Sequence, residues 1–131
     1  MNILQIITLS SLGGAQSVVL ELSNELIKRG HSVTVVASEK GELWSLLDKN
    51  VQQYPCKYFK REISPINDLK AIFFIKKIIK RNNYDVIHLH SSKAGVWGRI
   101  AAGNKFKDKV IYTVHGFDTI LKANKIFLLL E

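Results

Sequence analysis

Ile3-Leu4-Gln5-Ile6-Ile7-Thr8-Leu9 runs directly into Ser10-Ser11-Leu12-Gly13-Gly14, after which Ala15, Val18, Val19, Leu22 and Leu26 recur at helical spacing as far as Gly30. A short apolar run rich in branched residues reads as a central parallel strand, covered on both faces. The period that follows is that of a helix with one apolar face. Gly30 stands where a glycine past the last helical residue ends a helix. The order strand, glycine turn, helix decides how the rest of the chain is read.

His31 opens a second strand through Val33-Thr34-Val35-Val36-Ala37, followed by a short helix between Glu42 and Asp48 and a third strand near Val51 to Tyr54. Ser64-Pro65 introduces a helix from Ile66 to Asn82, and Tyr84-Asp85-Val86-Ile87-His88-Leu89-His90 reads as a strand. Ser91-Ser92 caps a further helix that reaches Lys105 and is built on Ala94, Gly95, Gly98, Ala101, Ala102 and Gly103, small residues suited to close packing on a sheet. Lys109 to Val114 forms the last strand and ends in His115-Gly116-Phe117-Asp118. Strands that alternate with helices predict an α/β fold, a doubly wound parallel sheet of about five strands with helices on both faces. Ligands of such sheets bind at the carboxyl ends of the strands. There the sequence sets Gly13-Gly14, His88, His90, Ser91-Ser92-Lys93 and His115-Gly116.

Composition narrows the function classes. The chain has 131 residues, one domain's worth, and its 47% hydrophobic content is enough for a packed core. Nineteen Lys and Arg against eleven Asp and Glu leave a net charge of +8, which attracts polyanions. A single cysteine, Cys56, excludes an internal disulfide framework and fits a reducing compartment, with the cytosol expected. No apolar run reaches the roughly 18 residues of a spanning helix, and the N-terminus reads as a strand, not a signal peptide.

The glycine turn permits a phosphate or carboxylate to approach the uncapped first turn of a helix. It is not the dinucleotide fingerprint, because Gly13 and Gly14 are adjacent and the third glycine is missing, although Glu39 lies near where a ribose-binding acid belongs. His88 and His90 point to one side of their strand, and His115 ends the next. Without an acid or cysteine at ligand spacing, these imidazoles predict hydrogen bonding to substrate and no metal site. His88, deeper in the strand, is expected to be a core histidine. Lys93 puts a cation in the first turn of a helix, where the dipole disfavours it, and so suggests an anionic ligand.

On the wheel of the helix from Ile66 to Asn82, Ala71, Ile72, Phe74, Ile75, Ile78 and Ile79 share an arc that should face the sheet. The opposite arc carries Lys70, Lys76, Lys77, Lys80 and Arg81 with Leu69 and Phe73 among them, and Lys57-Tyr58-Phe59-Lys60-Arg61 repeats the mixture upstream. This is the composition either of a surface that rests on anionic lipid, with Tyr58, Phe59 or Phe73 entering the headgroup boundary, or of a solvated basic face with a stray aromatic. The chain carries no recognisable RNA- or DNA-binding motif, and its cations lie on a helix instead of an aromatic sheet platform, so no nucleic-acid partner is expected.

Four segments together, Gly13-Gly14-Ala15-Gln16, Lys28-Arg29-Gly30-His31-Ser32-Val33, Asp85 through Gly95 and Thr113-Val114-His115-Gly116-Phe117, resemble the N-terminal domain of family-four glycosyltransferases of the GT-B fold. The likeness covers nearly the whole chain and is strongest for the bacterial branch that builds capsule, exopolysaccharide or lipopolysaccharide O-antigen. It implies a Rossmann-like half of a two-domain enzyme and a retaining transfer from a nucleotide diphosphate sugar to an acceptor hydroxyl, without cofactor or metal. It also implies a frequently lipid-linked acceptor and a peripheral position on the inner face of the cell membrane. By the same resemblance Gly13, Gly14 and Gly116 approach the donor, and His115 approaches the donor sugar as the catalytic candidate. Gln16, His90, Ser91, Ser92 and Lys93 are the candidate acceptor contacts. The family's C-terminal domain holds most nucleotide contacts and a pair of glutamates seven residues apart. Because the sequence ends at Phe127-Leu128-Leu129-Leu130-Glu131, residues 1–131 are expected to be the N-terminal domain alone, inactive without that domain or a partner chain. The alternative is a noncatalytic subunit that holds acceptor or membrane and recruits a separate donor-binding chain.

Overall fold

A computed structural model describes residues 1–114. The elements are β1 (Asn2–Ile6), α1 (Gly14–Lys28), β2 (Ser32–Ser38), α2 (Leu43–Leu46), β3 (Gln52–Cys56), α3 (Pro65–Arg81), β4 (Val86–His90), α4 (Ser92–Phe106) and β5 (Val110–Thr113). All pairings are parallel and the sheet order is β3-β2-β1-β4-β5. β1 is central, and the connections leave it in opposite directions, toward β2 and toward β4. The space between β1 and β4 is therefore the topological switch point.

Each face has its own core. Ile7, Val33, Val35 and Ala37 pack with Val19, Leu43 and Leu47 under α1 and α2. Leu4, Ile6, Val36, Ile87 and Leu89 meet Ile75, Ile79, Ala94 and Trp97 of α3 and α4 on the other face. The arc expected for α3 is the one buried: Ala71, Ile75, Ile78 and Ile79 are covered, with Ile72 and Phe74 half-covered beside them. α4 lies close to the sheet because it is lined with small residues. A Cβ on Gly98 would come 2.2 Å from Leu89 Cδ2, and one on Gly95 would come 2.7 Å from the Tyr112 ring.

β3 is read least easily in the sequence, and its register explains why. It pairs with β2 alone, so it is an edge strand, and Pro55 is tolerated there because an edge backbone can lack one donor. Gly30 takes φ +87 after the last turn of α1, with Gly30 N–H donating to Ile27 O and His31 N–H to Leu26 O, the left-handed helix end the sequence implied.

Phe59 is corrected by the packing. It is 2% exposed, with its ring 4.7 Å from that of Trp97, so it anchors the loop before α3 onto α4 and cannot enter a lipid surface. Tyr58 is half-buried, with the ammonium groups of Lys57 and Lys70 above its ring at 5.3 and 5.4 Å. Lys70, Phe73, Lys76, Lys77 and Lys80 are exposed on α3. The apolar part of that surface is broader than the sequence suggested, since Ile63 and Ile66 are exposed along with Leu69 and Phe73.

Candidate active site

A crevice of about 220 Å3 opens at the switch point, lined by Ile7, Thr8, Leu9 and Gln16 on one side and Ser91, Ser92 and Lys93 on the other, with Arg61 reaching over it. Its walls are the carboxyl ends of β1 and β4 and the first turns of α1 and α4. Local hydrogen bonds hold the wall from Thr8 to Gly13 in place. Gln16 Nε2 donates to Leu9 O at 2.9 Å, Ser10 N–H donates to Ser38 Oγ at 2.9 Å, and Leu12 N–H donates to a Glu42 carboxylate oxygen at 3.0 Å. The Leu12 amide stabilises the charged carboxylate and pulls the pKa of Glu42 below its ordinary value.

The two glycines have room in front of them. Gly13 is in extended backbone at φ −159, open to any residue, and the positive-φ glycines among the described residues are Gly30 and Gly103. A Cβ on Gly14 would meet nothing within 4 Å, and one on Gly13 would meet only the flexible Gln16 amide. At Gly14 neither backbone geometry nor packing among the described residues calls for glycine. No side chain caps α1 and its first turn has no acid, so the backbone N–H groups of that turn point outward unneutralised.

Ser91 takes φ +74, the one non-glycine residue with positive φ among the described residues, and its Oγ shares a 2.8 Å hydrogen bond with Thr8 Oγ1. That bond ties β1 to β4 across the crevice and fixes the turn into α4. Strain of this kind is characteristic of ligand-facing turns.

The histidines are placed in the reverse of their expected order. His90 is fully buried, its Nε2 donates to Gln5 Oε1 at 2.7 Å, and it is not among the residues that line the crevice. His88 is half-exposed and shares a 2.6 Å hydrogen bond with Thr113 Oγ1 on β5, with the two imidazoles 3.9 Å apart. The end of β4 nearer the crevice is the better covered one, with His90 bonded to Gln5 of the central strand β1.

Lys93 is likewise corrected. Its Nζ pairs with Asp68 Oδ1 at 3.0 Å, donates to Lys60 O at 2.9 Å and to Glu62 O, and lies 5.2 Å from the Trp97 ring centre. Two carbonyl hydrogen bonds and the ion pair make it a clamp on the loop before α3, not a free cation for a ligand. The cation the crevice does offer is Arg61, which the sequence grouped with the lipid surface. It makes no ion pair among the described residues. Thr8 and Leu9 are also site residues that sequence reasoning missed, and Thr8, the first polar residue after an apolar strand, carried the signal. His115 and Gly116 lie outside the described residues.

The family model of Glycosyltransferase Family 4 matches residues 12–129. The chain belongs to that glycosyltransferase family. Among its relatives is an Escherichia coli enzyme, UDP-Gal:alpha-D-GlcNAc-diphosphoundecaprenol alpha-1,3-galactosyltransferase, 37% identical over 106 residues that make up 81% of this chain and 27% of the relative. The E. coli O-antigen biosynthesis glycosyltransferase WbnH is 33% identical over 126 residues, 95% of this chain and 35% of the relative. The chain thus spans about a quarter to a third of the length of these family members. Acinetobacter baumannii MurG shares the fold with a TM-score of 0.66 at 20% identity, over 94% of this chain and 38% of MurG. A domain of a Pyrococcus furiosus hydrogenase superposes with a TM-score of 0.53 at 11% identity, so the architecture alone carries no activity.

Proposed function

We propose that the chain forms the acceptor-side half of a retaining glycosyltransferase, which moves a sugar from a nucleotide diphosphate sugar to a lipid-linked saccharide in surface polysaccharide synthesis. One observation carries this reading. The uncapped start of α1, with Gly13 before it and Gly14 as its first residue facing open space, lies beside the switch-point crevice that Gln16 of the same turn lines. A diphosphate fits there, because outward N–H groups and the helix dipole stabilise its charge and the absence of Cβ atoms allows close approach. The named substrates of the galactosyltransferase relative, a nucleotide sugar and a diphosphate-linked lipid acceptor, support the same assignment.

In this reading the acceptor saccharide occupies the crevice against Ser91, Ser92, Gln16 and Arg61, and Gly13 and Gly14 face the donor diphosphate. His115, two positions after β5 in sequence, is assigned by family resemblance to the donor sugar. Transfer breaks the bond between the anomeric carbon and the diphosphate and forms a bond to the acceptor hydroxyl oxygen. The hydroxyl proton and the nucleoside diphosphate depart. A second domain, on the same chain or on a partner, supplies the remaining donor contacts. The reaction runs at the cytoplasmic face of the membrane, with α3 resting on anionic lipid. Among the described residues no helix is long and apolar enough to cross a membrane.

The test is transfer from radiolabelled nucleoside diphosphate sugars to a GlcNAc-diphospholipid acceptor, using the chain together with its donor-binding unit, with the product's anomeric configuration read by NMR. A labelled lipid product with the donor's configuration retained is expected. Absence of transfer from every nucleoside diphosphate sugar overturns the proposal.

A further inference from the structure

A second cavity lies beside the crevice, on the far side of the loop that follows β3. It has a volume of about 290 Å3, and Ser38, Glu39 and Lys40 line it from the end of β2, and Cys56, Lys57, Phe59 and Lys60 from the end of β3. Buried Cys56 and Phe59 give it a firm floor, and Trp44 Nε1 steadies one rim by donating to Ser38 O at 2.8 Å. Three exposed lysines line it against one glutamate, and none of the three is in an ion pair among the described residues. Lysines contributed from the ends of two neighbouring strands, β2 and β3, suit an anion with more than one charged centre.

We propose that this cavity binds a diphosphate group through Lys40, Lys57 and Lys60. Adjacent residues connect the two sites: Lys60 lines the cavity and Arg61 the crevice, on a loop held by the bonds from Lys93 Nζ to the carbonyls of Lys60 and Glu62. Crevice and lysine-lined cavity thus share one short loop, so that a sugar in the first and the diphosphate of a lipid-linked acceptor in the second can be held together. Ile63 and Ile66, next along the chain, are exposed for the lipid beyond. This assignment rests on the glycosyltransferase reading for the source of the diphosphate, but not for the binding of the anion itself.

The experiment titrates the 15N-labelled 131-residue chain with inorganic pyrophosphate, and separately with vesicles containing phosphatidylglycerol, following amide shifts. Saturable shifts at Ser38, Lys40, Lys57 and Lys60 with pyrophosphate are expected. Lys40→Gln, Lys57→Gln and Lys60→Gln combined should weaken binding about tenfold or more, the scale of lost charge-assisted contacts. Lys70→Gln, Lys76→Gln, Lys77→Gln and Lys80→Gln combined should leave it unchanged, and circular dichroism verifies that both variants fold. Shifts spread equally over the α3 lysines, or a response to vesicles without one to pyrophosphate, overturn the site. Pyrophosphate binding without sugar transfer would remove the glycosyltransferase reading and leave the site standing, whereas transfer without pyrophosphate binding removes the site alone.

Discussion

Gly14 separates a structural from a functional need for glycine. Because a Cβ there meets nothing within 4 Å, Gly14→Ala should fold as well as the parent and gain a few tenths of a kcal/mol from helix propensity. Sugar transfer should nevertheless fall about tenfold or more as the methyl group obstructs the diphosphate; thermal denaturation beside the transfer assay separates the two effects. Gly98 is the opposite case. Its neighbour Leu89 is fully buried, so Gly98→Ala should destabilise by about 1–3 kcal/mol through overpacking, measured by urea denaturation. Cys56 makes a pH prediction. Burial pushes its thiol from 9.0 up to about 11, so the unfolded chain deprotonates first and stability should decline as pH rises from about 9 to about 11. Tyr84, raised by burial, adds to the same alkaline loss, and Cys56→Ala should remove only the cysteine's share of the slope.

At the scale of elements, the loop between β3 and α3 is the part that sequence patterning describes least well. Its mixture of cations and aromatics reads as one lipid-facing surface, yet its residues divide among three tasks. Phe59 goes into the core, Lys60 to the lysine cavity and Arg61 to the crevice. Lys93 enforces that division from α4. Lys93→Met should therefore cost about 1–3 kcal/mol, because it strips two carbonyl oxygens of their donor and the Asp68 carboxylate of its counter-charge. In the assembled enzyme it should raise the acceptor KM more than it lowers kcat, since it mispositions Arg61. A KM and kcat that fall together would argue against the clamp.

For the whole molecule, charge and apolar exposure coincide on one side. Ile66, Leu69 and Phe73 follow one another along α3 beside Lys70, Lys76, Lys77 and Lys80, the pattern of a helix lying in a headgroup layer. Replacing those four lysines with glutamine would lower the net charge from +8 to +4. At about 1 kcal/mol per cation near an anionic surface, vesicle binding should fall by tenfold or more, with a weaker salt dependence. Sedimentation with anionic and neutral liposomes at two salt concentrations measures this, and equal binding to both lipids would count against the surface.

The alternation of strand, glycine turn and helix determined the fold class, because period-2 and period-3.6 patterns and their stop signals are local and survive in one dimension. The same is true of the α3 core arc, the helix end at Gly30 and the crowding of polar residues after strands, which marked Gly13, Gly14, Ser91 and Ser92 before any coordinates. The tertiary structure alone decided which of those residues remain available. His90 and His88 differ by two positions on one strand, yet one is fully buried against Gln5 of β1 and the other half-exposed beside Thr113 of β5. Lys93 and Arg61 are both cations near one crevice. One is used up by carbonyls and a carboxylate contributed from 25 to 33 residues away in sequence, and the other is not. Saturation of a hydrogen-bonding group depends on partners brought together by packing, and no local pattern in the sequence encodes it.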